Sequence, residues 1–185
     1  MSKEQNQEEQ NQADILLMIV DWQEKLHNAM PEHLREEALK KASNLKWLFE
    51  ELGHPIIITE QYPKGLGPTH TALQPVDAIS KMSFSAIGNA QVVEQLKALQ
   101  PQQVILVGME THICISQTCR DLCQANIPVW CVTDACLSRH KVDWKYALQK
   151  MVVDGARLIT AEAAMFEIIE TAEHPLFKEL SRRIR

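Results

Sequence analysis

Three residues of complementary chemistry stand at corresponding places along the chain. Asp21 follows the apolar run Ile15–Val20, in "VDWQ". Lys81 follows "VDAIS", in "SKMSFSA". Cys114 follows "QVILVG" (103–108) after the short turn "GMETHIC". A thiol attacks as its thiolate, and a free cysteine has a pKa of about 8.5. A helix N-terminus and a neighbouring ammonium both favour the anion. The segment that Cys114 opens reads as a helix, and Lys81 could supply the cation. Asp21 could take the thiol proton and return it to a leaving group. Backbone N–H groups of the "GMETHIC" turn could hold an oxyanion. Together these groups suit nucleophilic attack on an amide or similar carbonyl. Each residue alone also has a plain reading: a turn-forming acid, a solvated lysine, a small buried thiol.

The elements that must position these groups alternate along the chain. "ILLMIV" (15–20), "PIIIT" (55–59), "VDAIS" (76–80), "QVILVG" (103–108), "IPVWCVTDA" (127–135) and "RLIT" (157–160) read as strands. Most are apolar throughout, as strands covered on both faces are. Between them, 31–53, 89–100, 111–126, 141–155 and 161–172 carry helical periodicity. Asn89 is placed as an N-cap and Gly53 as a C-cap. The pattern predicts a three-layer α/β/α fold around a parallel, Rossmann-like central sheet of five to six strands, with right-handed crossovers. Ligands of such sheets bind beyond the carboxyl ends of the strands, where the strand order reverses. Asp21, Lys81 and Cys114 all follow strands.

Helical geometry separates the cysteines. At about 100° per residue, Cys119 stands ~140° and Cys123 ~180° around the helix from Cys114. Those two share a face and read as packing. Cys131 sits within a strand, and Cys136 just past one, where it could border a pocket.

Composition narrows the classes. Apolar residues make up 45% and charged residues 23%, with a formal net charge of −5. No basic footprint points to nucleic acid or to an anionic membrane. The polar start "MSKEQNQEEQNQ" lacks an apolar h-region, so a cytoplasmic location is expected. Five cysteines in such a chain predict free thiols.

The pieces "LLMIVDWQ", "KMSFSAI" and "VGMETHICISQT" also resemble, in order and spacing, the isochorismatase-like hydrolase family, over about residues 13–172. The third is the most specific, matching G-x-x-T-x-x-C-[VI]-x-x-T. The stretch "TEQYPKGLGPT" (59–69) is similar to the branch of isochorismatase domain-containing proteins. Residues 1–12, rich in Gln, Asn and Glu, read as a disordered or loosely docked tail, and 13–185 as a single hydrolase domain of this kind. The resemblance implies an Asp21–Lys81–Cys114 triad acting through a thioester on a small amide or other C–N substrate. It also implies a cis peptide between Met109 and Glu110, and an oxyanion hole from the N–H groups of Glu110 and Cys114. Trp22, Tyr62, Phe84 and His112 are candidates for lining the substrate pocket. Nicotinamidases of the family carry an Asp-x-His…His metal site after the second strand. Here Glu60 and His70 are present without that spacing, so no cofactor or catalytic metal is expected. The expected partners are a small-molecule substrate and further copies of the chain, as a dimer or tetramer, with Trp144 and nearby helix surfaces as contacts. A rival reading makes the protein a non-catalytic oligomeric binding module, or a redox sensor whose Cys114 is a low-pKa thiol.

Overall fold

The computed structural model describes residues 14–185. The tail expected over 1–12 lies outside the described residues.

The sheet has six parallel strands: β1 (Ile15–Val20), β2 (Ile56–Gln61), β3 (Ala78–Lys81), β4 (Gln103–Met109), β5 (Val129–Leu137) and β6 (Arg157–Ile159). Their order is β3-β2-β1-β4-β5-β6. The chain works outward from β1 to β3, then returns to place β4 on the other side of β1. The order reverses between β1 and β4.

The apolar runs have a simple cause: each side chain of a central strand meets a helix layer. Leu17 and Ile19 of β1, with Ile105, Val107 and Met109 of β4, pack under α2 (Glu32–Leu52), α7 (Ala161–Ile169) and α8 (Phe177–Arg183). Leu16, Met18, Val20, Val104 and Leu106 face α4 (Ala90–Leu99), α5 (Ser116–Gln124) and α6 (Lys141–Val153). Two shorter helices, α1 (Glu24–Ala29) and α3 (Pro63–Leu66), sit beyond the carboxyl ends of β1 and β2.

The expected caps are present. Asn89 Oδ1 accepts from the N–H groups of Gln91 and Val92, and Gly53 ends α2 at φ 68°. Several boundaries differ from the sequence expectation; β5, expected over 127–135, runs Val129–Leu137 and so takes in Cys136. The helix expected from residue 111 begins at Ser116, because Thr111–Ile115 form a wider π turn. Cys114 therefore stands in that turn and not in the first turn of α5. The helix expected to reach 172 stops at Ile169, and α8 was not signalled by a long enough apolar period.

Gly108 brings the two central strands together at their carboxyl ends. It pairs with Val20 at φ +134°, and a Cβ there would lie 2.0 Å from the Val20 carbonyl oxygen. Any side chain would wedge β4 from β1 just where Asp21 and the Cys114 turn begin.

Candidate active site

Asp21 leaves β1 in the left-handed region, at φ 56°, a conformation that aspartate tolerates better than most residues. Its N–H donates to the Thr59 carbonyl at 3.0 Å, so the residue stays stitched to β2. Its carboxylate is fully buried. The Thr59 hydroxyl donates to Oδ1 at 2.8 Å, and Lys81 Nζ donates to Oδ2 at 2.6 Å.

Lys81 is equally buried and has four acceptors around its ammonium. Beside Asp21 these are Gln61 Oε1 at 2.8 Å, the Phe84 carbonyl at 2.9 Å and the Ser83 carbonyl at 3.0 Å. An ammonium has three protons, so Lys81 is saturated as a cation. The cage fixes the position of its Nζ.

Gln61 is itself locked from below. The buried Gln23 side chain accepts from the Gln61 N–H at 2.8 Å and donates to the Gln61 carbonyl at 3.0 Å. Gln61 Nε2 donates to the Met82 carbonyl at 2.9 Å, which turns its Oε1 toward Lys81.

Cys114 reaches this pair from the other side. The Asp21 carboxylate, the Lys81 ammonium and the Glu110 backbone N–H are the polar groups that act on its thiol. The Met109–Glu110 peptide is cis. Asp21, Lys81 and Cys114, separated by up to 93 residues in sequence (114 − 21), thus meet at the point where the strand order reverses.

The electrostatics are those of a closed site. Burial pushes the Asp21 carboxyl above its ordinary value, opposed by the Lys81 charge and by hydrogen bonds from Lys81, Thr59 and Cys114. The Cys114 thiol is pushed up to about 12, chiefly by burial and then by the Asp21 charge. Lys81 and the Glu110 N–H act in the opposite direction. The sequence expectation of a thiol held below its free value is therefore not met. The ammonium is bound to Asp21 and the helix start lies beyond Cys114, so burial and the Asp21 charge prevail at the sulfur. The resting arrangement is a protonated thiol beside the Asp21–Lys81 ion pair.

The pocket candidates divide. Tyr62 and Phe84 are about half exposed, at 48% and 53%, beside the Lys81 cage. His112 is partly buried, its Nδ1 3.0 Å from Ser138 Oγ. Trp22 requires a correction. It is fully buried in the core under α2, its indole N–H donating to His27 Nδ1 at 3.4 Å, and it presents no surface to a ligand. Glu60 accepts from the N–H and hydroxyl of Thr69, and His70 Nδ1 accepts from the Ala72 N–H. Both hold loops. Among the described residues, no group of three or more His, Cys, Asp or Glu is placed to hold a metal ion.

The isochorismatase domain model matches residues 15–163. The chain belongs to the isochorismatase family. Isochorismatase domain-containing protein 2 of Xenopus laevis is 37% identical over 172 residues, spanning 91% of this chain and 82% of that one. The structure named MAR1 ribonuclease, from Caenorhabditis elegans, superimposes with a TM-score of 0.85 at 34% identity, covering 94% of this chain and 91% of the other. YcaC of Escherichia coli, described as an octameric hydrolase of unknown specificity, shares the fold at a TM-score of 0.84 and 21% identity, over 92% of this chain and 87% of that one. Members of the isochorismatase family are hydrolases. Within this family member, sequence reasoning missed Thr59, Gln61 and Gln23. Of these, only Gln61 carried a signal, as a polar residue following the "PIIIT" strand.

Proposed function

We propose that the protein is a cysteine hydrolase acting on a small amide or related C–N bond. The observation that carries this reading is the fully buried Asp21–Lys81 ion pair at the carboxyl ends of the central strands, with the buried Cys114 thiol beside it. Asp21 accepts the thiol proton as sulfur attacks the carbonyl carbon, and an S–C bond forms. The oxyanion lies against the N–H groups of Glu110 and Cys114. The same proton passes from Asp21 to the leaving nitrogen, the C–N bond breaks, and a thioester remains. Water, deprotonated by Asp21, then releases the acid and restores the thiol. Lys81 keeps Asp21 ionised in an apolar setting and holds it in place. The raised thiol pKa fits this order, since the thiolate forms only as it is consumed. It speaks against the redox-sensor reading, which needs an exposed thiol of low pKa.

The substrate is a small molecule, bound without a metal or cofactor. The working form is a homo-oligomer, a dimer or tetramer, and α6 supports this. Val142, Tyr146 and Val153 on that helix are 57%, 62% and 87% exposed. Trp144 contributes differently from the sequence expectation: its indole N–H donates to the Thr133 and Cys136 carbonyls, so it anchors α6 to β5. The chain's location is cytoplasmic in this reading; among the described residues no helix is long and apolar enough to cross a membrane.

The ribonuclease name of the Caenorhabditis elegans relative suggests a second substrate class. A net charge of −5 and a lysine already saturated by protein acceptors disfavour a polyanion here. The test is intact-mass trapping of an acyl-enzyme across an amide panel, with an RNA oligonucleotide run alongside. The hydrolase reading expects an acyl adduct that is absent in Cys114→Ala. Cleavage of RNA that survives Cys114→Ala would overturn it.

A further inference from the structure

We propose that His27 is a proton-operated latch on the strand end that carries Asp21: the neutral ring holds that end in place and the protonated ring releases it. Such a latch acts on the scaffold of the site, whichever bond the site breaks. His27 stands on α1 and is buried, with both ring nitrogens engaged. Nδ1 accepts from the Trp22 indole N–H at 3.4 Å, and Nε2 lies 3.2 Å from Glu36 Oε1 on α2. An indole N–H only donates, so Nδ1 is bare and the ring is neutral, with its proton on Nε2 toward the carboxylate. A proton added at Nδ1 would set donor against donor. The fully buried Trp22 N–H would then lose its acceptor, and it has no other among the described residues. The new charge would also stand against the His70 ring, whose centroid is 4.5 Å from that of His27.

Trp22 carries that break to the site. It lies between Asp21 and Gln23, and its carbonyl accepts from the His70 N–H at 2.8 Å. Glu24 Oε1 accepts from the next N–H, of Thr71, at 3.0 Å. Gln23 Nε2 donates to the Gly67 carbonyl at 2.6 Å, and the same side chain clamps Gln61, an acceptor of the Lys81 ammonium. Residues 21–24 and the loop 67–73 therefore hold one another, and the Trp22–His27 bond braces both. Asp21 depends on that brace through the chain, and Lys81 through Gln23 and Gln61. The charged and titratable groups around His27 are Glu36 and Arg35 on α2, His70 on the loop, and Glu24, 3.6 Å from His70 Nε2. Burial pushes the His27 imidazole below its ordinary 6.5, opposed first by its hydrogen bond to Glu36, with His70 and Arg35 favouring the neutral ring. Below 6.5 the opened form binds a proton that the closed form refuses, so opening becomes easier as pH falls.

The experiment uses the full chain. Long-range proton–nitrogen NMR at about pH 7.5 is expected to show His27 with a bare Nδ1 and its proton on Nε2. Hydrogen exchange read by mass spectrometry then follows the peptide holding His70 and Thr71 down to about pH 5, each rate divided by the intrinsic rate at that pH. Its protection is expected to fall about tenfold per pH unit below 6.5, while peptides of β4 keep theirs. His27→Gln cannot titrate and is expected to make that protection independent of pH. His70→Asn keeps an acceptor for the Ala72 N–H and removes the neighbouring ring, and acid opening is expected to persist in it. Equal acid loss in wild type and His27→Gln would overturn the proposal, as would its disappearance in His70→Asn, which moves the sensor off His27. Loss spread evenly over β4 and the loop would mean general acid unfolding and would also overturn it. Should His27→Gln fail to fold, the wild type still decides: a proton on Nδ1 near neutrality, or a His27 ring titrating at 6.5 or above, sinks the latch.

Discussion

Cys114 and the group Cys119, Cys123, Cys131 and Cys136 lie on the same side of the sheet and belong to one apolar layer. Burial raises the thiol pKa of Cys114, Cys119 and Cys123, and contributes to the rise at Cys131. Their polar surroundings differ. Cys131 faces another thiol, Cys136, at 3.9 Å, and Cys123 adds to burial in raising the Cys119 thiol. Cys114 alone among these five has a buried carboxylate and a backbone N–H as neighbours. Enclosure makes Cys114, Cys119 and Cys123 poor acids. A base in contact is what gives one of them a route to reaction.

The largest test of that contrast removes the charge behind the base. Lys81→Met leaves the Asp21 carboxylate buried without its cation, which costs about 3–5 kcal/mol. Urea unfolding reads that loss. Alkylation of Cys114 should fall with it, because Asp21 then carries a proton at neutral pH. The double variant Asp21→Leu/Lys81→Met buries no charge and should recover much of the stability while Cys114 stays slow. Recovery of labelling in that double variant would show that Asp21 is not the base.

Gly108→Ala probes the geometry instead of the charge. A Cβ 2.0 Å from the Val20 carbonyl, at a φ suited to glycine, is expected to cost about 3 kcal/mol. It should also slow Cys114 far more than any of the packing cysteines, since the displaced strand ends carry Asp21 and the Cys114 turn. Equal slowing of all five would mean general loosening of the layer.

A smaller effect appears in alkali. The unfolded Cys114 thiol ionises near 9.0, while the folded one holds its proton up to about 12. Between those values the unfolded state binds fewer protons, so stability falls as pH rises. The slope is about 1.4 kcal/mol per pH unit for each such thiol. Cys114→Ala should remove one thiol's share of that slope, measured by urea titrations from pH 8.5 to 10.5. An unchanged slope would place the folded Cys114 pKa near its unfolded value.

Most of this architecture is legible in the sequence, for one physical reason. A strand covered on both faces must be apolar at every position, so β1 and β4 announce themselves, and Asp21 and Cys114 stand out as the first reactive groups beyond them. What escaped is set by contacts distant in sequence. Gln23 and Gln61 look like ordinary surface amides until β1 and β2 pair in register and bring them together. Trp22 reads as either a pocket-lining or a packing aromatic, and beyond the left-handed turn at Asp21 it lies in the core. The direction of the Cys114 pKa shift was missed because sequence lists the nearby charges but not their distances. Lys81 is the formal counter-ion of the thiolate, but it spends its contacts on Asp21 and three other oxygens. The π turn over Thr111–Ile115 has no periodicity distinct from the helix it precedes.

The smallest expected effect is the most discriminating for the contrast between the two regions. Cys123 is partly exposed on α5 and packs against the edge of the layer that holds the other thiols. Cys123→Ser exchanges sulfur for a hydroxyl that water can reach, and should cost within about 0.5 kcal/mol. The rate and pH dependence of Cys114 labelling should be unchanged, because sites without shared partners act independently. Labelling each remaining cysteine in this variant then separates two pictures of the layer. If Cys114 depends only on its carboxylate and backbone partners, its profile overlays that of the wild type. If the five thiols behave as one coupled set, loss of Cys123 shifts Cys114 as well, and the distinction drawn from Asp21 collapses.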